Sequence, residues 1–228
     1  MKDFGLIADG DKILIGLSGG KDSLLLTELL GERMKIYKPR FSLIAAHIKL
    51  KNIAYNSDEQ YLRDFCGRYD IPFIYRELSF ESKEDTKQKS PCFICSWTRR
   101  KELFRIAEEE NCNKIALGHH QDDILETLLM NLTFQGAFGS MPPLLKMNKF
   151  DMTIIRPMAL ITEKESSIVA EERAYRKQNR LCPYESDSHR FDMKNLLLEL
   201  ESKNPHVRQS LWNSMMNVQQ DYLPQKLK

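Results

Sequence analysis

Residues 12–17 (KILIGL) form a short apolar run that ends abruptly at Ser18, Gly19 and Gly20. This junction constrains the chain most. An Ile- and Leu-rich run between Asp-Gly-Asp and Ser-Gly-Gly predicts a buried strand. Leu24, Leu25, Leu29 and Leu30 then recur at helical spacing, with acidic Asp22 in the first turn. Two glycines between strand and helix let the backbone turn tightly and approach an anion closely. Successive amides and the helix N-terminus then point at that anion. Lys21 offers a point charge, and Ser18 and Ser23 offer hydroxyls. The loop is not of Walker A type, which requires Gly where Ile15 stands and Ser or Thr where Asp22 stands. A carboxylate beside phosphates is unfavourable without an intervening cation, so Asp22 points to Mg²⁺ bridging phosphate oxygens.

The same alternation recurs along the chain. Strands are predicted at residues 12–17, 41–48, 72–75, 114–117 and 152–155, and helices at 22–33, 57–69, 96–111, 121–134 and 162–178. Ser57 with Gln60, and Thr162 with Glu165, read as capping boxes. Trp97, Leu103, Phe104 and Ala107 form one apolar helix face. The pattern predicts an α/β fold, a five-stranded parallel sheet with helices on both faces. Ligands of such sheets bind beyond the carboxyl ends of the strands, where the loops after Leu17, Ile48 and Leu117 fall. Residues 1–180 read as this domain. Residues 181–228 read as a helical appendage packing on it, with helices near 191–201 and 205–220. Residues 81–89 (ESKEDTKQK) read as an exposed charged linker.

Composition bounds the compartment and the partners. With 228 residues, 42% hydrophobic and 29% charged, the chain suits one soluble globular unit. A net charge of +2 implies no partner from the overall field, so a nucleic-acid surface needs locally clustered charge. The first residues carry no long apolar run, and none approaches the roughly 20 residues that span a membrane. A cytoplasmic protein that does not enter the membrane is expected. Five cysteines without a secretory signal argue against a disulfide framework. Cys66 and Cys112 lie in helix-like segments and read as small core residues. Cys92 and Cys95 form a Cys-x-x-Cys, whose spacing alone admits zinc, iron–sulfur or redox use. Cys182 is the candidate third ligand.

Gly118-His119-His120-Gln121-Asp122-Asp123 follows the fourth strand. Gly118 permits close backbone approach. Asp122 and Asp123 are placed to hold Mg²⁺ opposite the phosphates, or one of them caps the helix. Arg99, Arg100, Lys101 and Arg105 follow the cysteine pair, and Arg173, Arg176, Lys177 and Arg180 precede Cys182. Both clusters suit a phosphate backbone, or are solvated helix faces with Glu102, Glu108, Glu171 and Glu172 mixed in. Arg156 follows the last strand, where it meets phosphate or fixes the loop.

Ser18–Ser23 resembles the loop of the PP-loop ATP pyrophosphatases. SGGKDS, PCFICSWTRRKELF, KIALGHHQDDILETLLMN, GSMPP, IIRPM and Cys182 in this order resemble the tRNA 2-thiocytidine synthetases, one branch of the iron–sulfur-dependent tRNA thiolases. The resemblance implies ATP cleavage between the α- and β-phosphates, with AMP left on a base carbonyl oxygen that sulfur then displaces. It implies catalytic roles for Lys21, Asp22 and Asp123. Leu17, Ser18, Gly19, Gly20, Lys21 and Ser23 would hold the nucleotide, with His47, Gly118, His119 and Arg156 completing its pocket. Asp22, Asp122 and Asp123 would hold Mg²⁺. Cys92, Cys95 and Cys182 would hold a 4Fe-4S cluster with one iron open. tRNA as substrate, a sulfur donor such as a cysteine desulfurase, and a homodimer are implied as partners. Alternative readings are thiolation or amidation of a small molecule, or a nucleotide- or redox-responsive binding protein without catalysis. Three departures stand out. Glu185 occupies the second position of a late Cys-x-x-Cys that relatives often carry. The resemblance implies a basic extension before the first strand, whereas the sequence here begins almost at that strand. The second strand ends in His47-Ile48-Lys49 where the family tends to have Asn-Leu-Asp.

Overall fold

The computed structural model describes residues 2–51, 55–79, 91–148, 150–176, 179–180 and 189–224. Cys182, Glu185, Lys177 and the segment 81–89 lie outside the described residues, as do the side chains of Cys92 and Arg180. The chain divides into two compact units, Met1–Gln121 with Pro142–Ser186, and Asp122–Met141 with Asp187–Lys228. The second unit therefore takes in the segment 122–141 as well as the C-terminal helices.

In the first unit, β1 (Asp11–Gly16) lies between β2 (Phe41–Leu50) and β5 (Lys114–Ala116), parallel to both. The sheet has six strands in the order β4-β2-β1-β5-β7-β6, with β4 at Phe73–Leu78, β6 at Leu144–Lys146 and β7 at Thr153–Ile155. Five are parallel, as expected. The sixth, β6, pairs antiparallel with β7 and corrects the expected count. Three residues, Leu-Leu-Lys, are too short to carry a legible alternation. A small second ladder pairs β3 (Tyr55–Asn56) with β8 (Asn179–Arg180).

β1 reads as a continuous apolar run because the sheet is covered on both faces. Ile13 and Ile15 pack with Leu24, Leu26 and Leu30 of α1 (Lys21–Met34) and with Leu62 and Phe65 of α2 (Glu59–Gly67). Leu14 packs on the other face with Phe104, Ile106 and Ala107 of α3 (Pro91–Glu109). Cys66 and Cys112 are core residues, and burial pushes the Cys66 thiol up to about 12. α5 (Glu163–Glu172) opens with the expected capping box, Thr162 and Glu165 each satisfying the other's backbone amide. α2 does not use Ser57. Its N-cap is Asp58, whose carboxylate accepts the Tyr61 amide at 3.0 Å.

α3 begins at Pro91 instead of 96, so the Cys-x-x-Cys lies within its first two turns. Proline suits a first helical position because its missing N–H has no intrahelical partner there. Trp97 departs from the expected apolar face. It is 54% exposed, while Phe104 and Ala107 are buried.

The second unit holds α4 (Gln121–Met130, from Asp122 on), a π-helical turn (Asn131–Gln135), α6 (His189–Lys203) and α7 (Val207–Met216). Met193, Leu197, Val207 and Trp212 are buried in it. No described helix is long and apolar enough to cross a membrane.

Candidate active site

The loop between β1 and α1 leaves the carboxyl end of the central strand. Gly19 has φ +81°, a left-handed conformation that a side chain would strain. Gly20 caps α1 without a side-chain hydrogen bond, which leaves the first-turn amides facing outward. Ser18 and Ser23 hold the loop's shape: their hydroxyls lie 3.1 Å apart, and Ser23 donates to the Gly20 carbonyl at 2.9 Å. This is an anion cradle built from backbone, in the position the sequence predicts.

Two charged loop residues form a cluster with a third that the sequence reading missed. Lys21 Nζ lies 2.8 Å from Asp22 Oδ1 and 3.1 Å from the Ser166 hydroxyl. The Ser166 hydroxyl donates to Asp22 Oδ1 at 2.8 Å. Ser166 is fully buried in α5, one residue past the capping Glu165, while Lys21 and Asp22 remain about a third exposed. A lone serine in a helix carries no signature of such a role. Its position four residues after the N-cap, on the face turned to α1, is the one signal available.

Around this cradle the first unit gathers four more expected residues. A Cβ on Gly118 would stand 3.0 Å from the Asp22 carbonyl oxygen and 3.1 Å from the Ser23 nitrogen, so the backbone approach there requires glycine. His47 is buried in the second half of β2, with Nδ1 2.7 Å from the Leu17 carbonyl and its ring stacked on Tyr75. The carbonyl accepts, so Nδ1 carries the proton. Burial holds the His47 pKa below the ordinary histidine value, with Arg99 adding to the depression, so the ring is neutral. Lys49, the other departure in this strand, pairs with Glu77 at 3.2 Å on β4. Arg156 is buried, donating to the Pro142 carbonyl at 2.6 Å and lying 3.3 Å from His119 Nδ1. Burial, with Arg100 nearby, pushes it down to about 10. It thus fixes the Pro142–Pro143 loop, one of its two expected uses.

The second unit holds the two aspartates of α4. Asp122 is buried and paired with Arg208 at 2.6 Å, which also meets Glu201 at 3.0 Å. Asp123 lies 3.5 Å from Arg190. Burial and the charges of Asp123 and Asp122 push the Glu126 carboxyl up to about 7. Among the described residues, no three His, Cys, Asp or Glu side chains gather as for a metal ion.

The basic clusters divide. Arg173 pairs with Glu28 at 3.2 Å, Arg176 with Asp58 at 2.6 Å, and Arg105 with Glu109 at 3.0 Å. Arg100 and Lys101 are exposed. Cys95 is half-buried at the edge of the α3 core, and positions 92 and 95 are neighbours on one helix surface. Two thiols at that spacing fit an iron–sulfur centre.

The sheet and the loop define a nucleotide-binding α/β protein whose phosphate cradle is a PP-loop. The PP-loop domain model matches residues 2–181. A tRNA-cytidine(32) 2-sulfurtransferase of Sorangium cellulosum is 37% identical over 225 residues, covering 97% of this chain and 79% of that one. Another, from Geobacter sulfurreducens, is 36% identical over 227 residues, covering 97% and 87%. Among solved structures, the U34-tRNA thiolase NcsA from Methanococcus maripaludis with its 4Fe-4S cluster superposes with a TM-score of 0.74. It is 30% identical, over 96% of this chain and 75% of that one. The chain belongs to the PP-loop family and, within it, to the family of tRNA-cytidine(32) 2-sulfurtransferases.

Proposed function

We infer that the chain is an ATP-dependent tRNA sulfurtransferase whose reaction is 2-thiolation of a cytidine. The observation that carries the reading is the cradle at the open N-terminus of α1, with Lys21 and Asp22 held together by Ser166. ATP is the substrate that fits it. First-turn amides, Ser18 and Ser23 bind the β- and γ-phosphates, and Lys21 neutralises charge on the departing pyrophosphate. Asp22 is the carboxylate of this loop suited to Mg²⁺, and Asp123 is the proposed carboxylate of the α4 pair, because Asp122 is more tightly committed to Arg208, at 2.6 Å against 3.5 Å for Asp123 and Arg190. The base carbonyl oxygen attacks the α-phosphorus, pyrophosphate leaves, and a sulfide-level nucleophile then displaces AMP from the same carbon. An oxygen that leaves poorly is thereby exchanged for one that leaves as AMP, and each tenfold gain in rate corresponds to about 1.4 kcal/mol of barrier.

Cys92, Cys95 and Cys182 are the residues proposed to hold a 4Fe-4S cluster, which when bound supplies the sulfur-transfer chemistry. A cysteine desulfurase is the proposed sulfur donor. A homodimer is proposed, supported by the exposed Leu132, Phe134 and Phe138 of the second unit. A tRNA substrate fits a cytoplasmic location. The test is to incubate the anaerobically reconstituted protein with ATP, Mg²⁺, a sulfur donor and tRNA, then digest the tRNA and analyse its nucleosides by mass spectrometry. 2-Thiocytidine together with released pyrophosphate is expected. Pyrophosphate release with no thiolated nucleoside from any tRNA pool would remove the tRNA assignment.

A further inference from the structure

The chain has two tryptophans, and they are treated oppositely. Trp212 is buried in the second unit at 5% exposure, whereas Trp97 is 54% exposed. A single exposed apolar side chain needs no explanation in itself. Trp97 differs through its surroundings. It stands two positions beyond Cys95, in the second turn of α3. Lys101 Nζ lies over its ring, 5.4 Å from the centroid. No acidic residue occurs between Pro91 and Lys101, and the same stretch carries Arg99, Arg100 and Lys101. The first acid, Glu102, is buried and paired with Arg76 at 3.2 Å. The exposed start of the helix is thus an indole set among cations.

Its place in the fold is informative. α3 precedes β5 and β5 is parallel to β1, so the Pro91 end of α3 lies toward the carboxyl ends of the strands. That is where the phosphate loop opens. The charges of Arg99 and Arg100 are felt at His47 and Arg156, which places both arginines toward the same end. An aromatic face flanked by cations is the chemistry that binds an unpaired nucleotide: the base stacks, and the neighbouring phosphates meet the cations. It does not fit a duplex, whose bases are already stacked.

We propose that Trp97 is a base-stacking platform for an unpaired nucleotide of the RNA substrate, with Arg100 and Lys101 meeting the adjoining phosphates. The proposal rests on the tRNA reading above and names the residue that holds the unstacked strand beside the cysteine pair. Stacking there would keep a loop nucleotide from returning to its neighbours while the target base is modified.

The test uses the full-length, anaerobically reconstituted protein. tRNA binding is measured by filter retention over a range of salt concentrations, and tryptophan emission is followed in the same titration. In the wild type, tRNA should quench emission and a blunt RNA duplex should not. Trp97→Ala should weaken tRNA binding roughly 5- to 160-fold, the range for one stacked base. Its salt slope should stay the same, because stacking releases no counterions. Trp97→Phe, which keeps an aromatic face, should lose less affinity but lose the quenching. Arg100→Ala should lower the salt slope by about one phosphate contact. Thermal melting confirms that each variant is folded. Wild-type tRNA binding with no change in emission, and with equal affinity in Trp97→Ala, would overturn the stacking role and leave the tRNA reading standing. Absence of tRNA binding by the wild type would remove both. Unchanged tRNA affinity in Trp97→Ala with a shifted sedimentation coefficient would overturn the proposal in favour of a contact between copies of this chain.

Discussion

His47 lies in the second half of β2 with its ring buried and its Nδ1–H on the Leu17 carbonyl. Charging this ring inside the fold is unfavourable, so its folded pKa sits below the ordinary value of about 6.5. The unfolded chain then binds a proton that the folded chain refuses, and stability rises with pH across that window. Read downward, stability is full above about pH 6.5 and is lost as pH falls through the depressed folded value. Denaturant unfolding of wild type and His47→Gln at pH 7.5 and pH 5 checks this. The stability advantage of the wild type should shrink at the lower pH, and a constant difference would show that His47 does not titrate in the window. The family resemblance implies a place for His47 in the nucleotide pocket, but its tautomer and its grip on Leu17 carry no sequence signal. Ser166 was not legible at all. A serine in a helix gives no periodic or motif signal, and only tertiary contact with Lys21 and Asp22 gives it meaning.

α5 brings Ser166 to the phosphate loop, so the helix start matters to the site. Thr162 and Glu165 close both ends of the capping box, with Thr162 accepting the Glu165 amide at 3.2 Å. Thr162→Ala should destabilise the fold by about 1 kcal/mol. It should also raise the KM for ATP a few-fold by loosening the turn that carries Ser166. A thermal melt and pyrophosphate-release kinetics check the two parts, and a lowered melting temperature with an unchanged KM would uncouple cap from site. This box was legible in advance because its two residues sit at a fixed spacing before an apolar run. The start of α3 was not, because Cys92 to Ser96 has no helical periodicity and only Pro91 marks the turn into helix. β6 escaped notice for a related reason: three residues on a sheet edge take their pairing from β7 and not from their own pattern.

At the end of the sheet away from the phosphate loop lies a buried ion pair. Lys114 at the start of β5 meets Asp11 at the start of β1, with Nζ 2.6 Å from Oδ2 and both residues nearly inaccessible. Burial alone would raise the Asp11 carboxyl. The Ala8 amide, Lys114 and Asn113 outweigh it and hold the carboxyl below its ordinary value. Removing one partner of a buried pair leaves the other charge uncompensated, so Asp11→Ala should destabilise by about 3 kcal/mol. The urea midpoint should fall while the KM for ATP stays the same. A changed KM with an unchanged midpoint would contradict the division between a braced end and a working end. A parallel sheet covered by helices on both faces was legible at this scale, since apolar runs and helical segments alternate along the chain, whereas the strand order was not. The grouping of 122–141 with the C-terminal helices was not, because contacts distant in sequence leave no local pattern.

β1 is hydrogen-bonded along both edges and covered by apolar side chains on both faces. Its backbone amides have no local route to solvent, so they exchange hydrogen only when the whole unit opens. The phosphate loop is therefore anchored to the strand of this unit expected to exchange most slowly.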